Sequence, residues 1–174
     1  DNSQVVLGMS YGVFEFAAYE SELLTEILSQ HELNSALSIM SQYTNLYDCR
    51  YHYFKSLDFT LTEMPIPWLL CWSGHVSCST NILREIGGFD EWFNSWGGED
   101  VEVGIRLHQA GCQFQLLPGL EAVHFPHEKD ANSKQKTAKN NINYIHKKHQ
   151  LVATKLMNEH NWEHMLTNYH LLFT

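Results

Sequence analysis

The sequence predicts an α/β domain. Two kinds of stretch carry that prediction. Short apolar runs end at glycine, as Gln4-Val5-Val6-Leu7-Gly8 does. Longer stretches repeat their apolar residues at threes and fours, as Leu23, Leu24, Ile27 and Leu28 do, and the two kinds alternate along the chain.

At 174 residues this is the size of one domain, with 44% hydrophobic and 13% aromatic residues, which points to a globular chain with a real core. A net charge of −9 leaves no basic stripe to neutralise phosphates, so nucleic acid is excluded as a partner. No apolar run approaches the ~20 residues of a membrane span, and no signal peptide opens the sequence. Cys49, Cys71, Cys78 and Cys112 match no zinc spacing; they read as free, mostly buried thiols, with a disulfide left open. A reducing compartment follows, and we expect a cytoplasmic protein, including the membrane's cytoplasmic face.

The stretch Gln4 to Gly12 begins as a buried strand, and its position near the first residue predicts that something lies beside it. Ser21 is a candidate N-cap for the helix carrying Leu23 to Leu28. A second helix is expected from about Asn34, with Leu37, Met40, Tyr43, Thr44 and Tyr47 on it. Tyr51, Tyr53 and Phe54 read as core packing. Met64-Pro65-Ile66-Pro67-Trp68 reads as extended, because each proline disfavours helix at its predecessor. Leu69 to Ser79 reads as a strand broken at Gly74, and Ser79 or Thr80 as the cap of a brief helix, Asn81 to Ile86.

The most informative stretch comes next: Phe89-Asp90-Glu91-Trp92-Phe93-Asn94-Ser95-Trp96-Gly97-Gly98-Glu99-Asp100. Val103, Leu107 and Ala110 then give a helix with a buried stripe, Glu102→Arg106 is a favourable i,i+4 pair, and Gly111 ends it. Glu99 and Asp100 sit where the helix dipole favours negative charge. Gly97 and Gly98 allow a tight turn and close ligand approach. A capped helix with an acidic first turn accounts for the carboxylates alone. Beyond it, Cys112 to Leu117 and Leu120 to His127 read as strands. Lys129 to Lys139 reads as a mobile polar loop, and Ile142, Ile145, His149, Val152 and Leu156 as one amphipathic helix, with a helical tail from Asn161.

Taken whole, Gly-Gly-Phe-Asp-Glu, the aromatic spacer, Trp-Gly-Gly-Glu-Asp and a helix ending Arg-Leu-x-x-x-Gly resemble the acceptor-side motif of GT-A-fold glycosyltransferases. The group is that of the β-1,4-galactosyltransferases, chondroitin-type polymerases and polypeptide N-acetylgalactosaminyltransferases. The likeness covers residues 70–127, about a third of the chain. It implies a mixed, mostly parallel sheet flanked by helices. It also implies transfer of a hexose or N-acetylhexosamine from a nucleotide-diphosphate sugar, UDP-sugar above all, to a carbohydrate hydroxyl. Asp100 would be the general base, Glu99 would hydrogen-bond donor or acceptor sugar, and Trp96 with Gly97 and Gly98 would line the acceptor subsite. Ser73, Gly74 and His75 would lie beside the donor sugar, although His75 by itself reads first as a hydrogen-bonded structural residue. Retaining members place Asn at position 100, so Asp implies inversion. Val101 departs from the galactosyltransferase form toward the polymerase form, which puts an N-acetylglucosamine acceptor in doubt.

The resemblance further implies Mn²⁺ or Mg²⁺, with His124 as a ligand and His127 as a second candidate; a zinc site from those two histidines is the alternative. The group's Asp-x-Asp or Asp-x-His motif is absent from the chain. We therefore expect the C-terminal portion of a GT-A domain, lacking its nucleotide-binding half. Within it, 1–70 would give a strand and helices, 71–127 the acceptor and catalytic core, and 128–174 a loop and C-terminal helices. An open edge beside Val5-Val6-Leu7 would then be covered by the missing half or a second copy. The other function class is a non-catalytic GT-A-derived module that binds sugar or protein.

Overall fold

Strand β1 (Gln4–Leu7) is the centre of the molecule. Its alternation buries Val5 and Leu7 completely, and it is paired on both sides. The computed structural model describes residues 3–12, 18–125 and 131–173, with the backbone alone for Ala18 and 131–136. Strand β2 (Ser10–Tyr11) follows at once, then helices α1 (Ala18–Gln30), α2 (Leu33–Met40) and α3 (Tyr51–Ser56). Next come β3 (Val76–Cys78), α4 (Thr80–Glu85), α5 (Glu99–Gln109), β4 (Gln113–Leu116) and β5 (Ala122–Val123). Helices α6 (Ala131–His149), α7 (Val152–Glu159) and α8 (Trp162–Leu172) complete the order.

The three-stranded sheet runs β3-β1-β4, with β1 antiparallel to β3 and parallel to β4. Val5 sits between Cys78 and Phe114, and Leu7 between Val76 and Leu116. A second, two-stranded parallel pair joins β2 to β5. This mixed sheet with helices agrees with the expected α/β class. The open edge expected beside Val5-Val6-Leu7 is not there: β3 and β4 occupy both sides of β1, so any unpaired edge belongs to those outer strands.

One apolar cluster gathers Val5, Leu7, Phe54, Trp68, Ile105, Phe114, Ile145 and Met165, and a smaller one gathers Tyr11, Leu24, Ile27, Met40 and Leu46. Phe54 is core, as expected, while Tyr51 and Tyr53 are only partly buried. At Gly104, an added Cβ would lie 3.0 Å from the Cys71 Cβ and 3.2 Å from the Trp68 carbonyl, so the missing side chain lets α5 settle onto the 67–70 turn.

Several local expectations fail for identifiable reasons. Ser21 does not cap α1, which starts before it; its carbonyl accepts the Thr25 hydroxyl at 2.8 Å inside the helix. Helix α2 stops at Met40 because Tyr43 is extended, and Thr44–Leu46 form a separate turn. Pro67–Leu70 form a buried 3-10 turn started by Pro67, because Trp68, Leu69 and Leu70 all face the core, leaving no alternation for a strand. A second turn, Ser73–His75, precedes β3. Ser79 caps α4 as expected, accepting the Asn81 N–H.

In α5, Ala110 is exposed, and the buried face instead holds Val101, Glu102, Val103, Gly104, Ile105 and Leu107. The polar stretch expected as a loop is helical from Ala131 onward, within α6. The single helix expected through Leu156 breaks at Gln150, whose φ of 52° starts a new axis and leaves Val152 exposed. Lys129 and Asp130 lie outside the described residues.

Candidate functional site

The site is built at the N-terminus of α5. Gly97 and Gly98 have φ values of 103° and 95°, a region that L side chains resist, and Gly98 is the residue from which α5 starts. Space is short as well: a Cβ on Gly98 would come within 3.0 Å of Ile145. The turn folds back so that the Gly97 N–H donates to Glu99 Oε2 at 3.0 Å. Asp100 follows, with Oδ1 accepting the Val101 N–H at 2.8 Å and Oδ2 accepting the Ser73 N–H at 3.3 Å.

Burial drives the Asp100 carboxyl up to about 6, the adjacent Glu99 charge adds to that rise, and the backbone N–H donors oppose it without cancelling it. The net direction, which sequence alone left open, is upward. A carboxylate in that range is matched to taking a proton near neutral pH.

Of the three residues expected beside the donor sugar, Ser73 reaches the site directly. Gly74 stands in open space, with nothing within 4 Å of where a Cβ would be. The His75 ring lies flat against Gly8, and its Nδ1 donates to the Met9 carbonyl at 2.9 Å, a structural bond between β3's entry and the turn after β1. The Ser73 turn is itself fixed by Arg50. That buried guanidinium binds Asp48 and donates to the Leu70 carbonyl at 2.9 Å and the Gly8 carbonyl at 3.0 Å. It also lies over the Trp72 ring at 4.5 Å.

The aromatic loop before the site is fastened to α6. Asn141, almost fully buried, donates to the Gly97 carbonyl at 2.7 Å and lies 3.3 Å from those of Ser95 and Trp96; Thr137 reaches the Trp96 carbonyl at 3.2 Å. The Trp92 indole stacks on Tyr144 at 3.8 Å between ring centres, while Trp96 remains 49% exposed. Lys148 ties the start of the loop to α5, bonding Asp90 at 2.6 Å and Glu102 at 2.7 Å. Tyr144 and Lys148 hold the Asp90 carboxyl well below the usual range. For fully buried Glu102, desolvation pushes upward, but the bonds from His149, Arg106 and Lys148 outweigh it and leave the carboxyl at about 2.

Sequence reasoning missed Asn141, Tyr144, Lys148 and Arg50. The first three recur at threes and fours, so one helix face carries them. The signal was available but polar, and a search for apolar periodicity passes over it.

His124 follows β5. Its backbone N–H donates to Tyr11 at 2.7 Å, and its carbonyl lies so close to Gly12 that an added Cβ there would stand 2.2 Å away. His127 lies outside the described residues. Among the described residues, no three His, Cys, Asp or Glu side chains converge as a metal cluster. All four cysteines are free, Cys71 and Cys112 buried and the other two partly so. No helix among the described residues is long and apolar enough to cross a membrane.

Comparison with known proteins agrees with this geometry. A family model described as the N-terminal domain of galactosyltransferase matches residues 44–128. Validoxylamine A glucosyltransferase of Streptomyces hygroscopicus subsp. jinggangensis is 29% identical over 154 residues, covering 88% of this chain and 36% of that protein. Chondroitin synthase of Pasteurella multocida is 40% identical over 102 residues, 58% of this chain and 10% of that protein. Hyaluronan synthase of the same species is 32% identical over 120 residues, 68% and 12%. The chain thus spans about a third of the length of the glucosyltransferase relative, and less of the two synthases.

Proposed function

Because this chain belongs, through residues 44–128, to the galactosyltransferase-related glycosyltransferases, we propose that it forms the acceptor side of an inverting hexosyl or N-acetylhexosaminyl transferase. The donor is a nucleotide-diphosphate sugar, with UDP-sugar the expected form, and the acceptor is a carbohydrate hydroxyl. The observation that carries the reading is Asp100. It is a partly buried carboxylate at a helix N-terminus, raised to about 6 and held by two backbone N–H groups.

In the reaction, the acceptor hydroxyl gives its proton to Asp100 as its oxygen bonds to the anomeric carbon. The bond from that carbon to the diphosphate breaks, and the electron pair leaves with the diphosphate. Attack from the face opposite the leaving group inverts the anomeric centre. Glu99, held by the Gly97 N–H, presents its other oxygen to a sugar hydroxyl. Trp96 offers an apolar face to a pyranose ring.

His124 is the one metal-ligand candidate kept from the sequence among the described residues. These residues do not by themselves make a divalent-metal site, so no step is routed through one. Mn²⁺ or Mg²⁺ remains part of the proposal, with further ligands drawn from elsewhere. The rest of a GT-A domain, expected to bring the nucleotide-binding half, is proposed on the same footing. The four free thiols support a reducing, cytoplasmic setting.

The test is Asp100→Asn in the protein that carries this chain. Transfer to a sugar acceptor should fall by ~10²-fold or more, with nucleotide-sugar binding retained. Retention of more than about a tenth of turnover would remove Asp100 from the role of base. Sugar binding without any transfer by the unmutated protein would favour the non-catalytic module instead.

A further inference from the structure

Helix α8 reaches back to the transfer site through an aromatic contact. Its first residue, Trp162, meets Trp72 edge to face, with 5.3 Å between ring centres and 74° between planes. Trp72 is the residue before Ser73, whose N–H donates to Asp100 Oδ2 at 3.3 Å. Further contacts fix how the Trp72 indole lies. Arg50 sits over the ring at 4.5 Å, and Tyr53, three residues on in α3, packs against Trp162 at 5.4 Å. The Tyr53 side chain also bonds Thr167, so α3 and α8 are tied at two points. Met165 and Leu166, both buried, seat α8 on the core.

The turn that carries the Ser73 N–H stands out from that core. Ser73 and Gly74 are exposed, and a Cβ on Gly74 would meet nothing within 4 Å. The turn is therefore placed from its two ends: His75, bonded to the Met9 carbonyl, and Trp72. A bond of 3.3 Å lies at the long end of the N–H···O range, so a retreat of a few tenths of an ångström breaks it. We propose that α8 is a positioning element of the transfer site: Trp162 braces Trp72, and Trp72 keeps the Ser73 N–H on Asp100. The brace needs no assumed chemistry; that it serves transfer rests on the reading of Asp100 as the base.

Asp100 itself reports on the brace. Its carboxyl is raised first by burial and then by Glu99, and the Ser73 N–H is among the donors that hold it down. The Cys71 thiol, which Asp100 and Arg50 both reach electrostatically, is pushed up by burial to about 12 and stays neutral over the working range. Withdrawing the Ser73 N–H therefore raises the Asp100 carboxyl further. The experiment follows that carboxyl by carbon-13 NMR through a pH titration of the protein that carries this chain, the resonance being assigned by its loss in Asp100→Asn. Trp162→Leu should move the midpoint up by ~0.5 pH unit or more. Trp162→Phe keeps a ring against Trp72 and should move it up by less; it also serves if the leucine variant does not fold. Leu24→Ala, in the smaller apolar cluster, loosens the fold away from the brace and should leave the midpoint where it is.

A midpoint within ~0.1 pH unit of the unmutated protein's in every Trp162 variant that folds would overturn the brace. So would an equal rise in Leu24→Ala, since the rise would then report general loosening. Where transfer is measured, the acidic limb of kcat/KM against pH should move with the NMR midpoint. A limb that stays fixed while the midpoint moves supports the brace and removes Asp100 from the role of base, so the two readings fail separately.

Discussion

Asp100→Asn should make the protein more stable at pH 8 while leaving it nearly unchanged at pH 4. In the folded chain the Asp100 carboxyl is raised from 3.8 to about 6, so folding favours its protonated form. The stability this confers is full below about 4 and is lost as pH rises through 6. Each pH unit of displacement corresponds to ~1.4 kcal/mol, so ionised Asp100 costs the fold roughly 3 kcal/mol above neutrality. Asparagine removes that cost. It keeps an oxygen for the Val101 N–H but turns its amide nitrogen toward the Ser73 N–H, whose long bond of 3.3 Å is lost for about 1 kcal/mol. The balance is a gain of about 2 kcal/mol at pH 8. At pH 4 the unmutated carboxyl is protonated in the fold and only half ionised when unfolded, and the two effects nearly cancel. Urea unfolding of both proteins at the two pH values, followed by circular dichroism, reads the difference directly. A stability change that is the same at pH 4 and pH 8 would refute the claim that burial perturbs this carboxyl.

Three other perturbations follow from the same structure. Lys148→Met removes the ammonium shared by Asp90 and Glu102 and should cost ~2–4 kcal/mol in urea unfolding at pH 7, against less than ~1 kcal/mol for Lys148→Arg. Because both carboxyls are held below their ordinary range, the stability they confer is present above that range and lost as pH falls. The loss in Lys148→Met should therefore shrink at pH 3. Gly12→Ala places a Cβ against the His124 carbonyl at a φ of 86° and should cost at least ~2 kcal/mol, seen as a lowered urea midpoint. Asn141→Ala frees the carbonyls of the Trp96–Gly97 turn. It should accelerate hydrogen exchange of the Gly97 amide by ~10-fold or more while exchange in β1 stays unchanged.

How much was legible in the sequence depended on how local the cause was. The turn at Gly97 and Gly98, the carboxylates at the start of α5, the Ser79 cap and the stop at Gly111 are decided within a few residues, and spacing alone reveals them. The central place of β1 was not legible, because pairing with residues 69 or more positions away decides it. Helix α6 was read as a loop over its first turns for a different reason. Beside the buried Ile145, it meets the aromatic loop and α5 through the polar side chains of Thr137, Asn141, Tyr144 and Lys148, and an apolar stripe is a poor guide to a face of that kind. Glu102 illustrates the same blindness in reverse: a charged residue that reads as half of an i,i+4 pair is fully buried, since three donors converge on it from two helices.

The fastening of the aromatic loop to α6 bears on protein engineering. Loops near a transfer site are natural pieces to exchange between related enzymes when a new acceptor is wanted. Here residues 89–98 depend on anchors outside themselves: Thr137, Asn141, Tyr144 and Lys148 all belong to a helix some forty to sixty positions downstream. A chimaera that imports the loop alone would set foreign carbonyls before Asn141 and deprive Lys148 of one of its two carboxylates. The exchangeable cassette is therefore discontinuous, 89–109 together with 137–149, and its two halves must come from the same parent.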